Sequence, residues 1–111
     1  EFRKNIQPSL AHPNAGSVFK NPEHDSAGRL LDKAGVKGIE MSNVAVWGKH
    51  ANFIVNKGNA TSQDILELML LMYNKVKETY TIELIPEIRY IGKMNKREEE
   101  ICKELYKKKQ K

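Results

Sequence analysis

Apolar residues recur at Ile65, Leu68, Met69, Met72 and Val76, at spacings that gather them on one side of a helix. Thr61 stands where an N-cap belongs, with Asp64 three residues on in capping-box fashion. The pattern predicts a long helix from Thr61 to about Tyr80, its methionines filling the core. Upstream, Leu30, Leu31 and Ala34 give a shorter helix its apolar face, with Asp25 or Ser26 as cap and Gly35 as stop. Gly28 inside that helix costs about 1 kcal/mol relative to alanine. Either a close approach by a backbone or ligand, or tolerated local strain, accounts for it.

Between and around the helices the period changes to two. Val18-Phe19 reads as a short strand ended by Pro22, with Ser17, Phe19 and Asn21 on one face and Val18 and Lys20 on the other. Val44 to Trp47 and His50 to Asn56 read as strands, the second with Ala51, Phe53 and Val55 opposite His50, Asn52 and Ile54. Lys57-Gly58-Asn59 is a turn signal. Ile82 to Ile91 alternates, with Ile82, Leu84, Ile88 and Tyr90 on one face, Glu83, Glu87 and Arg89 on the other, and Pro86 marking an edge or bulge. Residues 1–14 read as an extended entry segment, since Pro8 and Pro13 oppose a helix. Beyond residue 92, Met94, Ile101 and Leu105 form a thin apolar stripe. They predict a surface helix with pairs Glu99–Lys103 and Glu104–Lys108, fraying through Lys107 to Lys109. The expected fold class is α+β: a small antiparallel or mixed sheet against two main helices, with a C-terminal helical tail.

Charge separates the body from the tail. Of the net +5, residues 1–92 carry 11 Lys/Arg against 10 Asp/Glu, and residues 93–111 carry 8 against 4. A nucleic-acid footprint across the body is therefore unsupported, and no membrane span is present in the sequence. The single cysteine, Cys102, excludes an internal disulfide framework and a Cys-rich zinc site, and no metal site is expected. With no secretory signal visible, a cytoplasmic location is expected. The chain opens on Glu1 rather than Met, as a piece of a longer protein would.

Candidate chemistry is sparse on residue types alone. Ser17 and Asn21 could offer a hydroxyl and an amide to one ligand, but a serine on a short strand ordinarily caps backbone. No Gly-x-Ser-x-Gly elbow supports a hydrolase, and no Gly-rich loop leads from strand to helix to hold a dinucleotide. His50 reads first as a packed, hydrogen-bonded residue. Glu87 and Arg89 read as a solvated pair worth at most about 1 kcal/mol. Trp47 reads as core or interface.

Taken together, several segments add what the residue types do not. Ala15-Gly16-Ser17-Val18-Phe19-Lys20-Asn21-Pro22 resembles the signature of the UDP-N-acetylenolpyruvoylglucosamine reductase family, bacterial flavoenzymes of cell-wall precursor synthesis. The likeness recurs in order at residues 27–31, 49–56, 59–61 and 86–92. It implies that residues 1–92 are the C-terminal substrate-binding domain of such a reductase, with 93–111 a basic helical tail. In that family NADPH reduces FAD, and hydride then passes to the enolpyruvyl double bond of the UDP-sugar. By the resemblance, Ser17 is the proton donor and Glu87 its partner, while Arg3, Lys20, Asn21, His50 and Arg89 contact substrate. The FAD-binding part lies upstream, so this chain by itself is expected to be catalytically incomplete. The family usually has Gly-Gly where this chain has Ser42-Asn43, and a serine at Trp47. Two alternatives remain open at this point: a non-catalytic basic module for nucleic acid or a protein partner, and a relative that keeps the fold without the chemistry.

Overall fold

The computed structural model describes residues 17–88 and 93–107. The expected entry segment, with Arg3, lies outside them, as do Arg89, Tyr90 and Lys108. The longest element is α2 (Ser62–Tyr80). The Thr61 hydroxyl accepts the Asp64 N–H at 3.0 Å, and the Asp64 carboxylate accepts the Thr61 N–H at 3.0 Å, so the predicted capping box is formed. Ile65, Leu68, Met69, Met72 and Val76 are buried as their spacing predicts, joined by Leu66 and Tyr73.

Helix α1 (Ala27–Lys33) is capped by Ser26, whose Oγ accepts the Arg29 N–H at 3.0 Å. It ends in a Schellman motif. Gly35 takes a φ of +87°, its N–H donates to the Asp32 carbonyl, and Val36 N–H reaches back to the Leu31 carbonyl at 3.3 Å. Leu30, Leu31 and Val36 are buried, so both the helix and its stop face the core.

Three short strands, β1 (Glu40–Met41), β2 (Val44–Val46) and β3 (Ile54–Asn56), form an antiparallel sheet in that order. The register is Met41 opposite Val44 and Ala45 opposite Val55. All three residues of the central strand β2 are buried, and the strand packs against α2. The fold class is thus α+β, with a small antiparallel sheet on two main helices and a third helix, α3 (Lys96–Leu105), at the C-terminal end.

Three predicted strands come out differently. Val18 and Phe19 do not alternate: both are buried, and among the described residues their ladder contact is an isolated antiparallel bridge of Phe19 with Pro86. Ile82 to Ile88 forms no regular strand beyond that bridge, although Leu84, Pro86 and Ile88 are buried and Glu87 is exposed, as the alternation required. Residues 50–53 are a turn rather than the start of β3, closed by the Phe53 N–H on the His50 carbonyl at 3.3 Å.

The physical cause of that turn is Asn52, which is 3% exposed. Its Oδ1 accepts the Phe19 N–H at 3.0 Å, and its Nδ2 donates to the Phe19 carbonyl at 2.9 Å. Its own carbonyl accepts the Val18 N–H at 2.9 Å. The side chain does for Phe19 what a neighbouring strand would do, so residue 52 must turn inward and the extended run breaks. Tail helix α3 is also more than a surface helix: Ile101 and Leu105 are each 1% exposed and belong to the main core.

Asn52→Ala leaves the Phe19 N–H and carbonyl without their partner, and should lower stability by about 3 kcal/mol in urea unfolding; a loss below about 1 kcal/mol would show that the clamp holds little. At the β1–β2 hairpin, Ser42 carries a φ of +54° at the first turn position, where a type II′ turn favours glycine. Ser42→Gly should therefore raise stability by about 0.5 kcal/mol, the relief of left-handed strain less the entropy of glycine. Ser42→Ala, which keeps the strain, should show no gain.

Candidate functional site

A cavity of about 370 Å³ opens between the start of the described chain, α1 and the 49–53 turn. Ser17, Asn21 and His50 share its wall with Gly28, Arg29, Lys37 and Lys49. Three of the predicted site residues are therefore brought together. Lys20 lies outside this lining and borders, with Asn21, a second hollow against residues 81–85. Glu87 is exposed and also outside the lining.

Backbone hydrogen bonds nevertheless tie Glu87 to the same corner. The Val18 carbonyl accepts the Glu87 N–H at 2.7 Å and the Ile88 N–H at 3.4 Å. On the other side of Val18 lies Ser17, and the Val18 N–H is held by Asn52. One residue, Val18, thus joins the Ser17 wall to the Glu87 segment.

Asn21 has a structural duty as well, because its Oδ1 accepts the Ala27 N–H at 2.9 Å and so helps cap α1. Its Nδ2 remains a donor at the cavity wall. Beside it, Asp25 receives Arg29 in a fork, from Nε at 2.7 Å and Nη2 at 2.5 Å. That hydrogen-bonded pairing, helped by the Ser26 N–H, holds the Asp25 carboxyl at about 2 and raises the Arg29 guanidinium further.

His50 explains Gly28. A Cβ at position 28 would lie 2.7 Å from His50 Cε1, so the close approach is by a side chain. The His50 ring is set edge-on to Phe53, with centroids 4.7 Å apart, and Phe53 is edge-on to Trp47 at 6.1 Å. Nδ1 accepts the Asn52 N–H at 3.2 Å, which leaves Nε2 as the proton-bearing nitrogen of the neutral ring. Trp47 is half-buried in this aromatic row, in keeping with its packing role.

Sequence reasoning missed the clamp residue Asn52 and the cavity cations Arg29, Lys37 and Lys49. The cations look like ordinary solubilising surface along the chain, and only their place around Gly28 marks them. The cavity wall is polar, with hydroxyl, amide and imidazole donors and three cations against one carboxylate, Asp32, which pairs with Lys37 at 3.4 Å; the set suits an oxygen-rich anionic ligand.

A dinucleotide cradle is a different matter. Thr61 and Asp64 occupy the N-terminus of α2, Asn95 and Glu98 that of α3, and Ser26 with Asn21 that of α1. Acidic caps repel a diphosphate where a cradle would attract it. Among the described residues, therefore, no helix N-terminus is left open as a backbone cradle for the diphosphate of FAD or NADPH. Among them, no cluster of His, Cys, Asp or Glu could hold a metal ion, and no helix is long and apolar enough to cross a membrane.

Comparison with known proteins gives the chain its relatives. Residues 7–91 match the family described as UDP-N-acetylenolpyruvoylglucosamine reductase, C-terminal domain. The chain is 45% identical over 92 residues to a UDP-N-acetylenolpyruvoylglucosamine reductase of Bacillus licheniformis, covering 83% of this chain and 50% of that protein. It is 47% identical over 90 residues to the reductase of Clostridium botulinum strain Eklund 17B, covering 81% of this chain and 29% of the relative. A crystal structure of UDP-N-acetylenolpyruvylglucosamine reductase from Thermus caldophilus is similar with a TM-score of 0.52 at 44% identity, over 63% of this chain and 25% of that one. The chain thus spans half or less of the length of these relatives, and the match falls on their C-terminal domain. This chain belongs to the family of C-terminal domains of UDP-N-acetylenolpyruvoylglucosamine reductases.

Proposed function

We propose that this chain is the substrate-binding part of a reductase that converts UDP-N-acetylglucosamine enolpyruvate to UDP-N-acetylmuramate in peptidoglycan precursor synthesis. Residues 1–92 are read as the substrate domain and 93–111 as an appended basic helical tail. The observation that carries the reading is the Val18 peptide unit, which holds the Glu87 N–H at 2.7 Å and adjoins Ser17. The two residues that the family likeness makes proton donor and partner thus sit on paired backbones. FAD and NADPH belong, on this reading, to an upstream part of the same enzyme, and a cytoplasmic location goes with the UDP-sugar substrate.

The chemistry sets what these residues must do. Hydride addition to one carbon of the enolpyruvyl double bond builds negative charge on the neighbouring carbon and its carboxylate. That charge must be stabilised and then protonated. Ser17 supplies the proton from its Oγ, and Glu87 supports the charge relay. Asn21, His50 and Lys20 hold the polar substrate, with Lys37 and Lys49 as further cations for the diphosphate. Arg3 and Arg89 are assigned as further substrate contacts by the likeness alone.

Titration of this chain with UDP-N-acetylglucosamine enolpyruvate should move the amide signals of Ser17, Asn21 and His50 together with those of Glu87 and Arg89. Shifts scattered over α2, or none at millimolar ligand, would count against the reading. Gly28→Ala should weaken this binding, because the new Cβ displaces the His50 ring. The helix gain of about 1 kcal/mol expected from alanine should appear in stability only when His50→Ala is added. In the complete flavoenzyme, Ser17→Ala should leave the NADPH half-reaction near its normal rate and slow enolpyruvyl reduction by about 100-fold or more. Equal loss in both half-reactions would indicate a folding defect, and no loss in either would remove Ser17 from the mechanism.

A further inference from the structure

Helix α3 lies beyond the stretch that matches the family, yet the residue that follows it reaches back to the Glu87–Ile88 segment. Its own start is firm: Asn95 and Glu98 form a reciprocal capping box, with bonds of 2.7 and 2.9 Å. Arg97 grips Glu67 of α2 through Nε at 2.8 Å and Nη2 at 2.9 Å. Asn95 Nδ2 donates to Gln63 Oε1 at 2.9 Å. Ile101 and Leu105 enter the core. At the far end, Lys107 pairs with Glu104 at 3.1 Å and lies 3.9 Å from Glu83, while Lys77 of α2 pairs with Glu83 at 3.3 Å.

This anchored helix ends at Tyr106, whose hydroxyl donates to the Ile88 carbonyl at 2.6 Å. Among the described residues, the Ile88 N–H shares the Val18 carbonyl with Glu87 at the longer distance of 3.4 Å. The strand contact nearby is a single bridge, Phe19 with Pro86. The backbone on either side of Glu87 is thus fixed by Val18 before it and by Tyr106 after it.

We propose that Tyr106 is a positioning residue for the Ser17–Glu87 pair: its hydroxyl, held by α3, sets the course of the chain as it passes Glu87. This rests on the reading of Ser17 and Glu87 as the reacting pair. A solvated tail would leave that course to the bonds made by Val18 and Lys20 on one side of it. The tail is therefore part of the catalytic framework, and its role is exercised through backbone rather than through contact with substrate.

The test is Tyr106→Phe, which removes one oxygen and keeps the ring's packing. In this chain, amide exchange at Glu87 and Ile88 should rise about tenfold, the equivalent of one neutral hydrogen bond, while Met69 and Met72 in α2 keep their protection. In the complete flavoenzyme, enolpyruvyl reduction should slow about tenfold with KM for the UDP-sugar and the NADPH half-reaction unchanged. Unchanged exchange at Glu87 and Ile88, or an equal rise at Met69 and Met72, would overturn the proposal. So would a local rise in exchange with an unchanged rate. Glu87→Gln then separates the two ideas. If it slows enolpyruvyl reduction, the positioning role alone has failed; if it does not, the reading of Glu87 has failed and the proposal falls with it.

Discussion

Everything at the candidate site depends on one buried amide. Asn52 pairs with both backbone groups of Phe19 and, through its own carbonyl, with the Val18 N–H. A strand of two residues has too few ladder bonds to hold itself against the core, and an unpaired buried peptide group costs about 1–3 kcal/mol. The clamp removes that cost on one edge of Val18-Phe19, and the bridge to Pro86 serves the other. The segments that carry Ser17 and Glu87 meet at Val18 because both edges are occupied. Glycine at position 28 and the turn at 50–53 follow from the same arrangement, since Asn52 turned inward puts the His50 ring over α1.

The helices were readable because their signals are local. Thr61 with Asp64, Ser26, Gly35 and the apolar repeat of α2 each lie within a few residues of what they specify. The clamp was not readable, because its partners are 33 residues apart and an asparagine in an alternating run looks like a strand residue facing solvent. The run at 50–56 therefore read as one strand when only its last three residues are. Residues 82–88 show the opposite case. Their alternation was right, but alternation reports which side is buried, and says nothing about whether a ladder partner exists.

The tail shows how burial can hide behind charge. Residues 93–111 carry twice as many cations as anions, and two apolar residues per helix look too few to dock one. Ile101 and Leu105 are nonetheless fully buried, worth about 1.5–3 kcal/mol each. The Asn95-x-x-Glu98 spacing, a capping-box signature in the sequence, was the available sign of a formed helix. The charges also find partners on the body: Arg97 on Glu67, and Lys107 near Glu83. Arg97's fork holds the Glu67 carboxyl below its usual range. Part of the tail's excess charge is thus answered by α2 and the 83 segment, which weakens the case for a nucleic-acid arm.

The distribution of caps explains what kind of half-site this domain offers. Helix N-termini are the fold's ready-made places for phosphate, and here each is closed by its own side chains, two of them with an acid. Positive charge at the cavity comes instead from side chains: Lys49, with Lys37 paired to Asp32 and Arg29 paired to Asp25, and the Ser17 hydroxyl in the same wall. Side chains on loops suit a flexible, oxygen-rich ligand, whereas a helix terminus with glycines suits a dinucleotide gripped through backbone. A domain built in the first way and not the second suits the substrate side of the proposed reaction better than its dinucleotide side. The tie between Val18 and Glu87 is of another kind: a backbone hydrogen bond that joins the Ser17 and Glu87 segments within one fold.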